Sequence, residues 1–251
     1  MATIPVGVQL YSVREDCGRD FPAALEAIQK MGYAGVEFAG YHGYDAAQLR
    51  QVLDGLGLRC CGAHIGLDQL LGDALPKTAE FHLALGNSYL VVPGLAEERR
   101  NSKSAWLETA ALFNEIALRL KPYGLKVGYH NHHIEFELWE GQAGFDWFFA
   151  NTVPEVIMQF DIGNALHAGA QAATYLKRYP NRAVTIHLKE YAAANPLALL
   201  GQGDVNWPEV FDLCEGQGST DWYIVEQESY PIAPLDSVAA CLQALRGMGK
   251  V

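Results

Sequence analysis

Positive charge is scarce in this sequence: 18 Lys and Arg stand against 29 Asp and Glu, a formal net charge of −11 over 251 residues. Phosphate backbones and anionic lipid surfaces attract proteins through a positive field, so the balance argues against a nucleic-acid or membrane partner. Cysteine is scarce too. The five are odd in number, Cys60 and Cys61 are adjacent, and no pair has CxxC spacing, which excludes a disulfide framework and a structural zinc site. No apolar run approaches the ~18 residues of a membrane span. The opening MATIPVGVQLYSVRED lacks the basic-then-apolar pattern of a signal peptide. These absences together lead us to expect a soluble, cytoplasmic protein. No linker, charge block or low-complexity stretch divides the chain, so residues 1–251 read as a single domain.

What is present is a repeating alternation. Short apolar runs recur as VGVQL (6–10), GVEF (35–38), LRCCGAH (58–64), YLVV (89–92), LKVGYH (125–130), EVIMQFD (155–161), AVTIHL (183–188) and WYIVE (222–226). Their unbroken apolar character suits strands buried on both faces. Helical patterns lie between them. Phe21 to Met31 is flanked by Asp20 as an N-cap and Gly32 as a stop, Asp45 precedes AAQLRQVLDGLG, and 104–124 ends at Pro122 and Gly124. Eight βα units imply a parallel sheet, either doubly wound or closed. No GxGxxG follows the first strand, and the late Gly201-Gln202-Gly203 is a weak substitute. The fold class is therefore read as α/β, a (β/α)8 TIM barrel.

In such a barrel chemistry sits at the C-terminal ends of the strands. The second run contains Glu37 and the third ends in His64. The fifth leads into Tyr129-His130-Asn131-His132-His133-Ile134-Glu135, and the sixth ends in Asp161, followed by Gly163, Asn164 and His167. The seventh carries His187, Lys189 and Glu190, the eighth Glu226 and Glu228. One such residue alone reads as a hydrogen-bonded structural group. Four successive strands ending in imidazole or carboxylate read differently, because converging unpaired carboxylates are costly to bury and a divalent cation removes that cost. Mixed nitrogen and oxygen ligands suit Mn, Co or Zn.

LYSVRED, GVEFAG, GYHNHHIEFE, FDIGNALHAG, IHLKE, GQGDVNW and IVEQE occur in order across almost the whole chain. Together they resemble the sugar phosphate isomerase/epimerase group with a xylose isomerase-like TIM barrel, in the branch with an HNHxxEF signature after strand five. The group also holds tagatose 3-epimerase-like enzymes, inosose dehydratases, 3-keto-glycoside-processing enzymes and apurinic endonucleases. The resemblance implies one divalent metal ion (Mn, Co, Zn or Mg, with Mn favoured). It is held by a glutamate after strand five, an aspartate on six, a histidine on seven and a glutamate on eight. Asp161, His187 and Glu226 match the last three. His130 stands where the family usually has glutamate, so either His130 binds directly or Glu135 supplies the oxygen.

That resemblance implies a sugar isomerase/epimerase, working through a metal-stabilised enediolate on a keto-sugar or related polyol. Glu226 or Glu135 would be the base and His132 the acid or proton shuttle. His64, Lys189, Glu37 and the stacking ring of Tyr11 are the candidate substrate contacts. A lyase on the same site, inosose dehydratase-like or 3-keto-glycoside-cleaving, is the alternative. A nuclease conflicts with the charge and with Asn164, where that branch has histidine. Basic residues near the strand ends are few beyond Arg14 and Lys189, which favours a neutral polyol or keto-sugar over a sugar phosphate. Trp139, Trp207 and Tyr230 are further aromatic candidates, with Trp207 read as opening the helix after strand seven and Asp204 as a rim or capping residue. Helix faces of such barrels often pair, which leaves a homodimer open.

Overall fold

A computed structural model describes residues 3–251. All eight apolar runs are strands: β1 (Val6–Gln9), β2 (Gly35–Ala39), β3 (Arg59–His64), β4 (Tyr89–Val92), β5 (Lys126–His130), β6 (Ile157–Asp161), β7 (Thr185–Leu188) and β8 (Trp222–Val225). They are parallel, each beside its sequence neighbour, and β1 pairs with β8 through Val6 and Tyr223 to close the barrel. The α/β reading and the closed TIM barrel therefore hold.

The helices begin and end where their capping chemistry says. The Asp20 carboxylate accepts the Ala23 N–H at 3.1 Å, and the helix Phe21–Met31 ends on Gly32 with φ 99°. Asp45 and Gln48 form a reciprocal capping box on Ala46–Leu56. The long helix starts at Lys103 under a Ser102 cap and finishes at Leu120. A single tight turn, Lys121–Tyr123, carries Pro122 to Gly124. Sequence periodicity had run these into one segment. It also gave no sign of the short antiparallel ribbon, Leu138–Trp139 against Gln142–Ala143, that follows β5.

Side chains alternate across each strand. One set, including Val8, Val36, Phe38, Val127, Tyr129, Met158, Phe160, Ile186, Tyr223 and Val225, packs outward under the helices in the main hydrophobic core. The other set fills the barrel. At its N-terminal end Cys61, Trp222 and Ile224 form a small apolar plug. Above it the interior turns polar: Gln9, Glu37, Gln159, Thr185 and His187 are all fully buried.

Candidate metal centre

At the C-terminal mouth four residues from four successive strands converge. His130 ends β5, Asp161 ends β6, His187 lies in β7 and Glu226 follows β8. One ligand atom from each lies within 4.8 Å of all the others, and all four side chains are buried. His130 Nε2 and His187 Nδ1 are each 4.0 Å from Asp161 Oδ2. His187 Nδ1 also lies 3.1 Å from Glu226 Oε2.

Asp161 is the least satisfied member of the cluster. Its Oδ1 accepts the Asn164 N–H at 2.6 Å, while Oδ2 is buried without a hydrogen-bond partner among the described residues. Burial, with Glu226 adding to it, pushes this carboxyl up to about 7 despite nearby Lys189 and His187. An orphaned carboxylate oxygen facing two imidazole nitrogens and a second carboxylate fits a divalent cation in both charge and donor type.

The other protonation states follow from position. Burial, reinforced by the neighbouring His187, pushes His130 well below the usual imidazole range and keeps it neutral. Burial also favours neutral His187, but the flanking carboxylates of Glu37 and Glu226 outweigh it and raise the ring to about 10. Glu226 is buried as well, yet His187 and Lys189 hold it well below the ordinary carboxylate range.

Beneath the cluster lies a layer of hydrogen bonds. Glu37 Oε2 accepts from His187 Nε2 at 2.6 Å and Gln9 Nε2 at 2.7 Å, and its Oε1 accepts from Gln159 Nε2 at 2.6 Å. Burial opposes ionisation of Glu37, but the His64 and His187 imidazoles outweigh it and lower the carboxyl. Gly62 makes room for this carboxylate: a Cβ there would sit 2.5 Å from Glu37 Oε1. Gln159 Oε1 faces His64 Nε2 at 2.6 Å and His130 Nδ1 at 3.1 Å. The His64 ring stacks on His187, with 5.4 Å between centroids and 9° between planes.

Several candidates from the sequence stand differently here. Glu37 is fully enclosed and bonded through both oxygens, which leaves it no oxygen for a substrate. Glu135 is buried and spends Oε1 on the Tyr129 hydroxyl (2.6 Å) and Oε2 on the His132 N–H (2.7 Å), so it ties down the loop after β5. Tyr11 is exposed at the barrel rim, its ring 4.5 Å from the Arg14 guanidinium, which also meets the Tyr230 hydroxyl at 2.8 Å. Glu190 accepts from the Gly201 N–H at 2.7 Å and Trp207 Nε1 at 2.8 Å, pinning the loop after β7. Trp207 does open the next helix, and Asp204 accepts the Ala193 N–H at 2.8 Å at the rim.

Three groups remain around the cluster: His132, whose ring lies 5.0 Å from His130, and the half-buried ion pair of Lys189 with Glu228. Lys189 Nζ is 3.9 Å from Glu226 Oε2. Burial lowers the His132 pKa, so this ring is a neutral proton acceptor. Burial works against the Lys189 charge, but Asp161, Glu226 and Glu228 outweigh it and raise the ammonium pKa. Sequence reasoning missed Gln159, Gln9 and Asn131. The first carried a usable signal, being a polar residue inside an apolar strand, two positions before Asp161 and so on the same face. Asn131 was not legible: it pairs across strands, accepting the Asp161 N–H at 2.9 Å.

Comparison with known proteins agrees with this architecture. The inosose dehydratase of Serratia proteamaculans is 26% identical over 257 aligned residues, covering 86% of each chain. A solved sugar phosphate isomerase/epimerase from Parabacteroides distasonis superposes with a TM-score of 0.85 at 23% identity, over 100% of this chain and 96% of that one. A solved L-ribulose 3-epimerase gives 0.71 at 16% identity, over 100% and 95%. The model of the xylose isomerase-like TIM barrel family matches residues 25–248, and the chain belongs to that family.

Proposed function

We propose that the protein is a divalent-metal-dependent enzyme that removes a proton from the carbon next to the carbonyl of a keto-sugar or keto-polyol. The observation that carries this reading is the orphaned Asp161 Oδ2 at the centre of the His130, Asp161, His187 and Glu226 cluster. Two imidazoles and two carboxylates favour Mn, Co or Zn over Mg, with Mn the first candidate. A bound ion supplies Lewis-acid polarisation of the carbonyl and stabilises the charge left by proton removal.

The chain's own residues do the rest. With Glu135 locked in its loop and Glu226 in the ligand cluster, neutral His132 takes the carbon-bound proton. Lys189, steadied by Glu228, holds a substrate hydroxyl beside it. His64, packed on His187, offers a further polar contact.

The acid–base groups left around the cluster differ in kind, an imidazole (His132) and a lysine–glutamate ion pair (Lys189 with Glu228), which is an asymmetric set. It suits an elimination in which His132 returns the proton to a departing hydroxyl. Epimerisation needs matched donors on opposite faces of one carbon. We therefore place dehydration first, in line with the inosose dehydratase among the relatives, and isomerisation or epimerisation second, in line with the fold of the solved epimerase. This order reverses the one suggested by sequence alone.

The test is to load the purified protein with Mn and incubate it with an inosose and with ketohexoses in deuterated water. Loss of water to an enone or dione supports the lyase. Solvent deuterium in an intact, inverted sugar supports the epimerase. No exchange and no product with any keto-substrate removes the proposal.

A further inference from the structure

The polar layer below the cluster constrains its own proton positions. A carboxylate only accepts hydrogen bonds, so whatever faces Glu37 must donate. The Gln159 amide therefore turns its Nε2 to Glu37 Oε1 (2.6 Å), and the same nitrogen reaches Thr185 Oγ1 at 3.1 Å. That leaves Gln159 Oε1 toward the histidines, and an amide oxygen cannot donate. His130 must then carry its proton on Nδ1, at 3.1 Å, and His64 on Nε2, at 2.6 Å. Glu37 Oε2 imposes the same rule on His187, whose Nε2 donates to it at 2.6 Å. Gln9 reinforces the arrangement: its Oε1 is taken by the Tyr11 N–H at 3.0 Å, so its Nε2 is the end that donates to Glu37.

We propose that Gln159 is a positioning residue for the metal centre. Its amide relays the acceptor-only character of Glu37 to His130, so that His130 presents the Nε2 lone pair to the ion, while Glu37 makes His187 present Nδ1. This inference rests on the reading that the four-residue cluster holds a divalent ion. It explains how a histidine serves at the strand-five position: a carboxylate offers an oxygen whichever way it turns, whereas an imidazole offers a lone pair from only one nitrogen. An outer partner that sets the ring is therefore part of the ligand. Two histidines of different tautomer, fixed by one amide and one carboxylate, are wired into a single unit. Losing the amide oxygen releases His130 together with His64, while His187 keeps its bond to Glu37.

The first measurement needs no substitution. Ring-nitrogen NMR of ¹⁵N-histidine-labelled, metal-free protein at neutral pH is expected to show His130 as the Nδ1–H form, assigned by its loss in His130→Gln. An Nε2–H form overturns the proposal. The second measurement compares Mn and Zn affinities of the wild type, Gln159→Met and Thr185→Val. Methionine keeps the length and volume but replaces the amide, its oxygen acceptor and its donor to Glu37, with a weakly accepting thioether. A fall of about 10–100-fold is expected, the usual effect of removing an outer-shell partner. Thr185→Val removes another hydrogen bond of the same amide in the same buried layer, one that involves no histidine, and its affinity should stay at the wild-type level. Wild-type affinity in a folded Gln159→Met, or an equal loss in Thr185→Val, overturns the positioning role. A wild type that binds no divalent ion removes the metal reading and this inference with it, whereas a wild type that binds the ion but shows His130 in the Nε2–H form when metal-free removes this inference alone.

Discussion

Replacing Asp161 by Asn gives a perturbation whose sign is opposite in the metal-free and metal-loaded proteins. In the metal-free fold the Asp161 carboxyl sits at about 7 against 3.8 for an exposed aspartate. At ~1.4 kcal/mol for each tenfold change in proton affinity, keeping this group in place at pH 7 costs about 4 kcal/mol. Asn keeps an oxygen for the Asn164 N–H, and its amide nitrogen replaces the orphaned Oδ2 with an uncharged donor beside the His130 Nε2 lone pair. Asp161→Asn should therefore stabilise the metal-free protein. At ~2–4 °C per kcal/mol for a chain of this size, Tm at pH 7 should rise on the order of 10 °C. The folded-state pKa is raised, so the penalty is absent below the unfolded value of 3.8, grows as pH rises, and is complete above about 7. The gain in Tm should follow that course and vanish near pH 4. Mn well above about 1,000 times its Kd should reverse the order, because at that ratio the ion already adds about 4.1 kcal/mol to the wild type alone. Thermal melts with chelator and with Mn, from pH 4 to 8, measure all of this. A metal-free Asp161→Asn that melts below the wild type at pH 7, or a difference that does not change with pH, refutes the reasoning.

Three further outcomes are expected. Because His187 lies at about 10 without metal, an ion must displace its proton, so affinity should rise about tenfold per pH unit up to that value. Below about 7 the Asp161 proton must leave too, and the slope should approach two, as read by calorimetry in buffers of different ionisation enthalpy. The metal-free stability contributed by the raised His187 pKa runs the other way, being fully present below the unfolded value of 6.5 and lost as pH rises through about 10. Glu135→Gln should cost roughly 1–3 kcal/mol in urea unfolding, since an amide cannot satisfy both donors that meet this buried carboxylate. It should leave metal stoichiometry at one, whereas His130→Ala should weaken binding by at least ~100-fold; the reverse pattern would make Glu135 the ligand. Gly62→Ala should displace Glu37 and weaken metal binding without altering the ligands themselves, because its Cβ would lie 2.5 Å from the carboxylate.

Much of this protein is written locally. Eight apolar runs bounded by turns, helix starts at Asp20 and Asp45, and stops at Gly32, Gly57 and Gly124 follow from capping and backbone preferences that act within a few residues. The barrel follows from their alternation, and the strand-end rule points to a wider set that includes His64, His130, Asp161, His187 and Glu226. The family resemblance singled out Asp161, His187 and Glu226 and left His130 or Glu135 open on strand five. What a strand end cannot reveal is which atoms meet across the barrel. Glu37 and His187 are 150 positions apart in sequence, yet their side-chain atoms lie 2.6 Å apart.

That distance turns Glu37 from a candidate substrate contact into the carboxylate that fixes the His187 ring. In the same way, Tyr129 and the His132 N–H take both oxygens of Glu135 out of the chemistry. Gln159, hidden in an apolar strand, becomes the group that orients His130. Local sequence determined the elements, their order and a pool of polar strand ends at the mouth, because propensity, capping and hydrophobic pattern are short-range. Only the closed barrel decided which carboxylate is orphaned, which are satisfied and which nitrogen each histidine presents. Hydrogen-bond partnership and burial depend on residues that the fold alone brings together.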